Sequence, residues 1–378
     1  MAIRGLWLAA AAMFLVGLLW LDQHRGGPAS AMSRCNLLLS RNDAPPADVL
    51  IVGSSRSGVA LDAPAMQIML KREVPGASVN VERLALGNNP LRVNHALLEN
   101  YLELRGAPRV VVLEIMFMTQ RSVERLQHIG LETTPEHYIF QRDINLMSYG
   151  QIMRLPSVAM PFTEDESWLN RLRFRLRGTV LRTGALIYQF ARKPGERWDL
   201  ASCDKSDWTR EPSWPASFSF RHGDFDSNMP LAETMASLEQ AMSDRAAGMG
   251  LKPWQKDVAT GGQYPYDFAS PYRQGEVALL DSMLEMTAKQ NIPVVLLPLP
   301  LYGYEVGRED LGQLSARLPD KTQILNVYGQ VRGELDKFWY DDGHIEAYPA
   351  GALTTAIVAR HLLGAGFFVS DTPGDALD

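Results

Sequence analysis

The chain is poor in the residues that build metal centres and disulfide frameworks. Its 378 residues contain two cysteines, Cys35 and Cys203, and seven histidines. Two cysteines so far apart have no metal-ligand spacing and exclude a cysteine-rich scaffold. In an oxidising compartment they are compatible with one pair or with two buried thiols, and both readings stand. A surplus of basic charge is also missing. Lys and Arg number 37 against 43 Asp and Glu, a formal net charge of −6, so no nucleic-acid partner is expected of this chain. No internal repeat is present. The glycine- and serine-rich stretch at 53–58 lacks the Gly-Lys-Ser/Thr ending of a nucleotide phosphate loop, and neither a cofactor nor a metal is expected.

What the chain has is apolar residues, 46% of the total, enough for a large core. Gly5 to Leu21 is apolar and uncharged, with Arg4 before it and Asp22, His24 and Arg25 after it. It is short for a spanning helix, which takes about 20 residues, yet longer than the apolar core of a cleaved signal, about 7–15 residues. We read residues 1–25 as a signal anchor, although Ala29-Ser30-Ala31 has the small-x-small form of a cleavage site. With a positive charge ahead of the span, the body of the chain is sent outward. The expected location is a bacterial inner membrane, crossed once through residues 5–21, with the main domain in the periplasm.

Residues 26–46 are rich in Gly, Pro, Ser and Ala and read as a linker. Beyond them short β-branched runs alternate with amphipathic stretches: ADVLIVG (47–53), VNVERLAL (79–86), RVVVLEI (109–115), IPVVLLPL (292–299) and TQILNVY (322–328). Strands apolar on both faces, separated by helices, predict an α/β fold: a three-layer α/β/α flavodoxin-like domain with about five parallel strands. The domain is expected over 47–118 and 272–366, interrupted by an inserted helical or irregular subdomain at 119–271 and followed by a tail at 367–378. Helices are predicted through 272–290 and 348–364. The insertion carries an arginine-rich helical stretch, 168–193, with Arg171, Arg173, Arg175, Arg177, Arg182, Arg192 and Lys193. That stretch fits a solvated helix whose aliphatic stems cover apolar neighbours, or a contact with lipid headgroups, a polyanionic glycan or a membrane partner. Trp208, Trp214, Trp254, Tyr264 and Tyr266 fit ordinary packing or a sugar-stacking surface.

The first strand runs into Gly53-Ser54-Ser55-Arg56-Ser57-Gly58. The nucleophile elbow of α/β-hydrolases does not fit, because with Ser55 at its centre the glycine position is Ser57. A strand that delivers Ser55 to the C-terminal edge of the sheet, at the start of a helix, does fit. Such a serine needs a general base. His344 stands in FWYDDGHIEAYPAGA, three residues after Asp341, and Asp-x-x-His in a turn lets the carboxylate orient the imidazole so that Nε2 is left as the base. Taken alone, Ser55 reads as a helix cap and His344 as a surface residue.

Gly53-Ser54-Ser55 near the start and Asp341-Asp342-Gly343-His344 near the end resemble the first and last blocks of SGNH hydrolases, the GDSL-type esterases and acyltransferases. Leu86-Gly87-Asn88-Asn89-Pro90 resembles the block that supplies an oxyanion-hole glycine. The resemblance covers roughly 47–115 and 272–364. It implies a Ser55-His344-Asp341 catalytic set, with the N–H groups of Ser55 and Gly87 and the side chain of Asn88 or Asn89 receiving an oxyanion. Asn88 and Asn89 before Pro90 fit a helix cap equally well. Two departures stand out: Ser54 replaces the usual Asp, and Glu114-Ile115-Met116-Phe117-Met118 replaces the Gly-x-Asn-Asp block. Glu114 is expected to be a buried, paired carboxylate near the site, and Arg56 either a structural ion-pair partner or a binder of an anionic acceptor.

Anchor, linker and domain together look like the exported proteins that work beside membrane-bound O-acyltransferases, such as alginate and cellulose acetylation proteins and the teichoic-acid D-alanylation protein. The resemblance implies O-acyl transfer, of acetyl groups in those relatives' manner, to a cell-surface or secreted polysaccharide, with a membrane-bound O-acyltransferase as partner. A polysaccharide deacetylating esterase and a non-catalytic scaffold or glycan-binding component are the alternatives.

Overall fold

The computed structural model describes residues 13, 16–17, 44–74, 76, 78–86, 91–115, 149–154, 172, 175–176, 178–180, 182–184, 229–250, 252, 262–264, 271–299, 304–306, 308–331, 335–339 and 344–368. The strands among them are β1 (Val49–Ser54), β2 (Val81–Leu86), β3 (Val110–Ile115), β4 (Gly262–Tyr264), β5 (Val294–Pro298), β6 (Tyr304–Val306) and β7 (Thr322–Ile324). Five of them form one sheet in the order β2-β1-β3-β5-β7, with every neighbouring pair parallel. This is the flavodoxin-like order, and the chain reverses its direction of travel across the sheet between β1 and β3. In open parallel sheets, ligands bind beyond the strand ends at that switch point.

The helices with described bounds are α1 (Ser55–Ala60), α2 (Ala63–Glu73), α3 (Leu91–Leu104), α4 (Tyr149–Arg154), α5 (Leu231–Ala247), α6 (Pro271–Lys289), α7 (Arg308–Ser315), α8 (Tyr328–Val331) and α9 (Ala352–Gly364). Every residue of β1 and β3 is buried, and successive side chains point to opposite faces. Val49 and Ile51 therefore pack with α2, α5 and α9, whereas Leu50 and Val52 pack with α3 and α6. The α/β architecture and the five parallel strands match the sequence reading.

Several details differ from that reading or were not legible. Helix α5 lies inside the stretch read as an insertion, yet Leu231, Met235, Leu238, Met242 and Ala246 belong to the core on the α9 side of the sheet. Their spacing is that of one helix face. The last helix does not begin at Tyr348. A wide turn spans Ala347–Gly351, with Tyr348 extended (φ −129, ψ 134), and the regular helix starts at Ala352. Pro349 accounts for this, because a residue before proline is pushed out of the helical region. A second, two-stranded parallel sheet pairs β4 with β6.

Within 168–193 the described helical residues reverse the usual division of polarity. Arg182 is fully buried, while Leu172, Leu176 and Val180 are 39%, 57% and 70% exposed. Arg171, Arg173, Arg177, Arg192 and Lys193 lie outside the described residues, as do Cys35, Cys203, Trp208, Trp214, Trp254 and Tyr266. Of the apolar stretch 5–21, Met13, Val16 and Gly17 are described and are helical. Among the described residues no helix is long and apolar enough to cross a membrane.

The N-terminal edge of the sheet is closed by a buried polar cluster. Glu82 of β2 pairs with Arg105, which also donates to the carbonyls of Ala44 and Pro45. The Tyr101 hydroxyl accepts from Ala47 N at 2.7 Å and donates to Glu82 at 3.2 Å. Burial, followed by the Glu82 charge, pushes the Tyr101 hydroxyl pKa well above its ordinary value. This cluster fixes the chain where it enters β1.

Candidate active site

The C-terminal edge of β1 is organised by one carboxylate. Glu114 of β3, its side chain wholly buried, accepts from Ser54 N at 2.7 Å, from Ser54 Oγ at 2.8 Å and from Ser57 N at 3.2 Å. Arg56 Nε lies 3.3 Å from Glu114 Oε1, and Arg56 Nη1 donates to the carbonyl of Leu299, just beyond β5, at 2.9 Å. The N–H of Arg56 donates back to Ser54 Oγ at 3.1 Å, making Ser54 the cap of α1. Arg56 is thus a structural ion-pair partner of Glu114, one of the two roles its sequence position allowed.

Gly53 makes room for this arrangement. A Cβ on it would sit 2.2 Å from Ser57 Oγ and 2.6 Å from Glu114 Oε2, so the carboxylate crosses β1 only because the residue has no side chain.

Helix α1 has six residues, too few for independent stability, and it is held at both ends. Glu114 supplies negative charge at its first turn. At its other end the buried Arg83 of β2 donates to the carbonyls of Gly58 and Leu61 at 2.5 and 2.6 Å. Both charges have the sign that the helix dipole favours. Burial pushes the Arg83 guanidinium pKa down, and the nearby Asp62 charge opposes that shift.

Ser55 is the first residue of α1 and is 8% exposed. Its Oγ lies 2.7 Å from Nε2 of His344, a residue 289 positions away in sequence. For Nε2 to accept the hydroxyl proton, the ring must carry its own proton on Nδ1. The two residues are brought together by the packing of α9 against the end of α1. Thr355 Oγ1 accepts from Asp62 N at 3.0 Å and donates to the carbonyls of Gly351 and Ala60 at 2.9 and 3.2 Å. A Cβ on Gly351 would come within 2.8 Å of the Val59 carbonyl. Glycine at 351 therefore lets the turn before α9 lie directly on α1.

Of the residues singled out in the sequence, Ser55, His344, Arg56 and Glu114 meet within one cluster at the switch point. Asp341, Gly87, Asn88 and Asn89 lie outside the described residues. The strand preceding Gly87 ends at Leu86, which pairs with Ser54. The roles of Arg83, Ser57 and Gly351 escaped sequence reasoning; the signal available was only a glycine before the last helix and an arginine inside an apolar strand.

Among the described residues no group of His, Cys, Asp and Glu has the geometry of a metal site. Chemically, the arrangement can transfer a proton between Ser55 Oγ and His344 Nε2 while Glu114 keeps the backbone around the serine fixed. No protein-family model matches this chain, and no curated protein matches it.

Proposed function

We propose that the protein is an SGNH-type serine acyltransferase that acts outside the cytoplasmic membrane on a cell-surface or secreted polysaccharide. The observation that carries this reading is the 2.7 Å contact between Ser55 Oγ and His344 Nε2 at the sheet's switch point. Ser55 Oγ attacks the carbonyl carbon of an acetyl or similar O-acyl ester as its proton passes to His344 Nε2. The donor's alcohol leaves with that proton, and the acyl group remains on Ser55. A sugar hydroxyl then gives its proton to His344, attacks the acyl-enzyme and restores the Ser55 hydroxyl.

Asp341 is assigned to the Nδ1 side of His344, and Gly87 with Asn88 or Asn89 to the oxyanion, from the family resemblance. The pairing of Leu86 with Ser54 supports the second assignment, because Gly87 follows the strand end beside the serine. Residues 5–21 are assigned as the inner-membrane anchor with the domain in the periplasm. Tethering favours transfer over hydrolysis, since it holds the enzyme beside a membrane-bound O-acyltransferase that supplies acyl groups. One observation favours a non-catalytic scaffold instead: Glu114 stands where the family carries an oxyanion-stabilising block.

Intact-mass analysis after treatment with a fluorophosphonate separates these readings. One adduct on the full chain, absent in Ser55→Ala and slowed about 10²–10⁴-fold in His344→Ala, is the expected result. No adduct on folded wild-type protein would favour the scaffold. Transfer is then distinguished from deacetylation by whether an added oligosaccharide gains the acyl group.

A further inference from the structure

The loop that carries His344 is held from outside the sheet. Trp339 and Ile345 form an antiparallel bridge, and Glu346 N donates to the Phe338 carbonyl at 2.6 Å. His344 therefore sits near the end of a short closed loop whose base is Phe338, Trp339, Ile345 and Glu346. The Glu346 side chain, 9% exposed, is gripped by two cations, one in the last turn of α5 and one beyond its end. Arg245 Nη2 lies 2.9 Å from Oε2, and Lys252 Nζ lies 3.1 Å from Oε1. Each cation also reaches a backbone carbonyl of the loop or its flank. Lys252 donates to Trp339 O, and Arg245 donates to Tyr348 O at 2.7 Å. Lys337 returns the contact by donating to the Ala246 carbonyl at the end of α5, at 2.8 Å.

We propose that Arg245, Lys252 and Glu346 are positioning residues for His344: they set the imidazole at hydrogen-bond distance from Ser55 and make the reactivity of the serine depend on the docking of α5. The inference rests on the Ser55–His344 reading above. Lys252 is the link that joins both ends of the loop, because it bonds Trp339 O on one side of His344 and Glu346 on the other. The β-bridge and the Glu346–Phe338 bond close the base of the loop on itself. The two cations tie that base to α5, through Arg245 in its last turn and Lys252 beyond its end, and α5 is fixed by the buried Leu238, Met242 and Ala246. Arg245 has 49% of its side chain exposed and Lys252 29%, so neither is needed to fill the core, and Glu346 is the one buried member of the set.

Two readouts on the full chain test this. The first is the rate of fluorophosphonate labelling of Ser55 in Glu346→Gln, Arg245→Ala, Lys252→Ala and the double variant of the two cations. Losses of about tenfold to a hundredfold are expected, as displacements near 1 Å carry such costs, with partial recovery in Arg245→Lys. Lys289→Ala, in an exposed pair on α6, serves as the control and should label at the wild-type rate. The second is the imidazole NMR resonance of His344, which in the wild-type background should move on Ser55→Ala. In the clamp variants that response should vanish while the folded spectrum persists. Labelling within about twofold of wild type, or an intact His344 response in the double variant, would overturn the proposal. If Glu346→Gln fails to fold, the two cation variants decide. If the wild type does not label at all, the catalytic reading fails, and the NMR response still reports on the clamp.

Discussion

Two buried glutamates, one at each edge of the sheet, are held by arginines and do different things. Glu82 at the N-terminal edge is paired with Arg105 and accepts from Tyr101, and these two in turn hold Ala44, Pro45 and Ala47, tying down the chain entering β1. Glu114 at the C-terminal edge is paired with Arg56, and its other partners are the backbone and hydroxyl of the residues on either side of Ser55. The first cluster fixes where a strand begins. The second fixes where a serine points. The same chemistry, a desolvated carboxylate filled with donors, anchors the entry of a strand at one edge and the Ser55 junction at the other, the edge beyond which ligands bind in open parallel sheets.

The sharpest way to test that contrast is to remove each carboxylate in turn. Glu114 receives four donors: Ser54 N, Ser54 Oγ, Ser57 N and Arg56 Nε. Glutamine has one acceptor oxygen and would turn an NH2 group toward incoming donors. Glu114→Gln and Glu114→Ala should each destabilise the fold by roughly 3–5 kcal/mol, the usual cost of breaking a buried pair, and should abolish rapid fluorophosphonate labelling. Glu82→Gln should also lower stability in a denaturant titration, but the protein that remains folded should label normally. Equal loss of labelling in both variants would show that the two edges are not separable.

A smaller effect is expected at Gly53. Gly53→Ala places a methyl group where Ser57 Oγ and the Glu114 carboxylate lie, and overpacking of this kind costs about 1–3 kcal/mol. Its labelling rate should fall more than its stability, because the displaced group is the one that holds the strand-helix junction at Ser55. A neutral result in both measurements would mean that the carboxylate can move without disturbing Ser55.

Much of this was legible in the sequence, for physical reasons that also explain the gaps. The runs that became β1, β3 and β5 are apolar on both faces, and that pattern dictates a covered parallel sheet. Gly53-Ser54-Ser55 sits at a strand-helix junction, where backbone geometry is set locally. The His344 contact was readable only because Asp341-x-x-His344 is itself a local pattern. The clamp on the His344 loop was not readable. Arg245 and Glu346 are about a hundred residues apart, and an arginine at the end of an amphipathic helix is normally a solvated cation near the negative end of the dipole. Strands β4 and β6, with three residues each, are too short for a period-two pattern to emerge.

At the structural edge, Tyr101→Phe should cost roughly 1–2 kcal/mol, since it leaves Ala47 N–H and Glu82 short of a partner, and should leave labelling unchanged. Its pH dependence has a definite sign. The folded-state pKa of Tyr101 is raised, so the hydroxyl's contribution is complete below the unfolded tyrosine value near 10 and is lost as pH rises beyond it toward the folded value. Wild type should therefore lose stability faster than Tyr101→Phe in alkaline denaturation. Identical alkaline slopes would remove the tyrosine from the account.

The smallest expected effect lies away from both edges, at His361 in the last turn of α9. Burial lowers its pKa, the reverse of what a helix C-terminus alone would do to a histidine. Desolvation therefore outweighs the dipole at this position. With the folded pKa depressed, the unfolded chain binds the proton first as pH falls, so the contribution of neutral His361 is present above the ordinary histidine value near 6.5 and declines below it. The side chain is partly exposed, which limits the size of the effect. His361→Gln should flatten the melting temperature between pH 7 and pH 5 by under about 2 °C, and a steeper acid loss in that variant would mean that the dipole, and not burial, governs the residue.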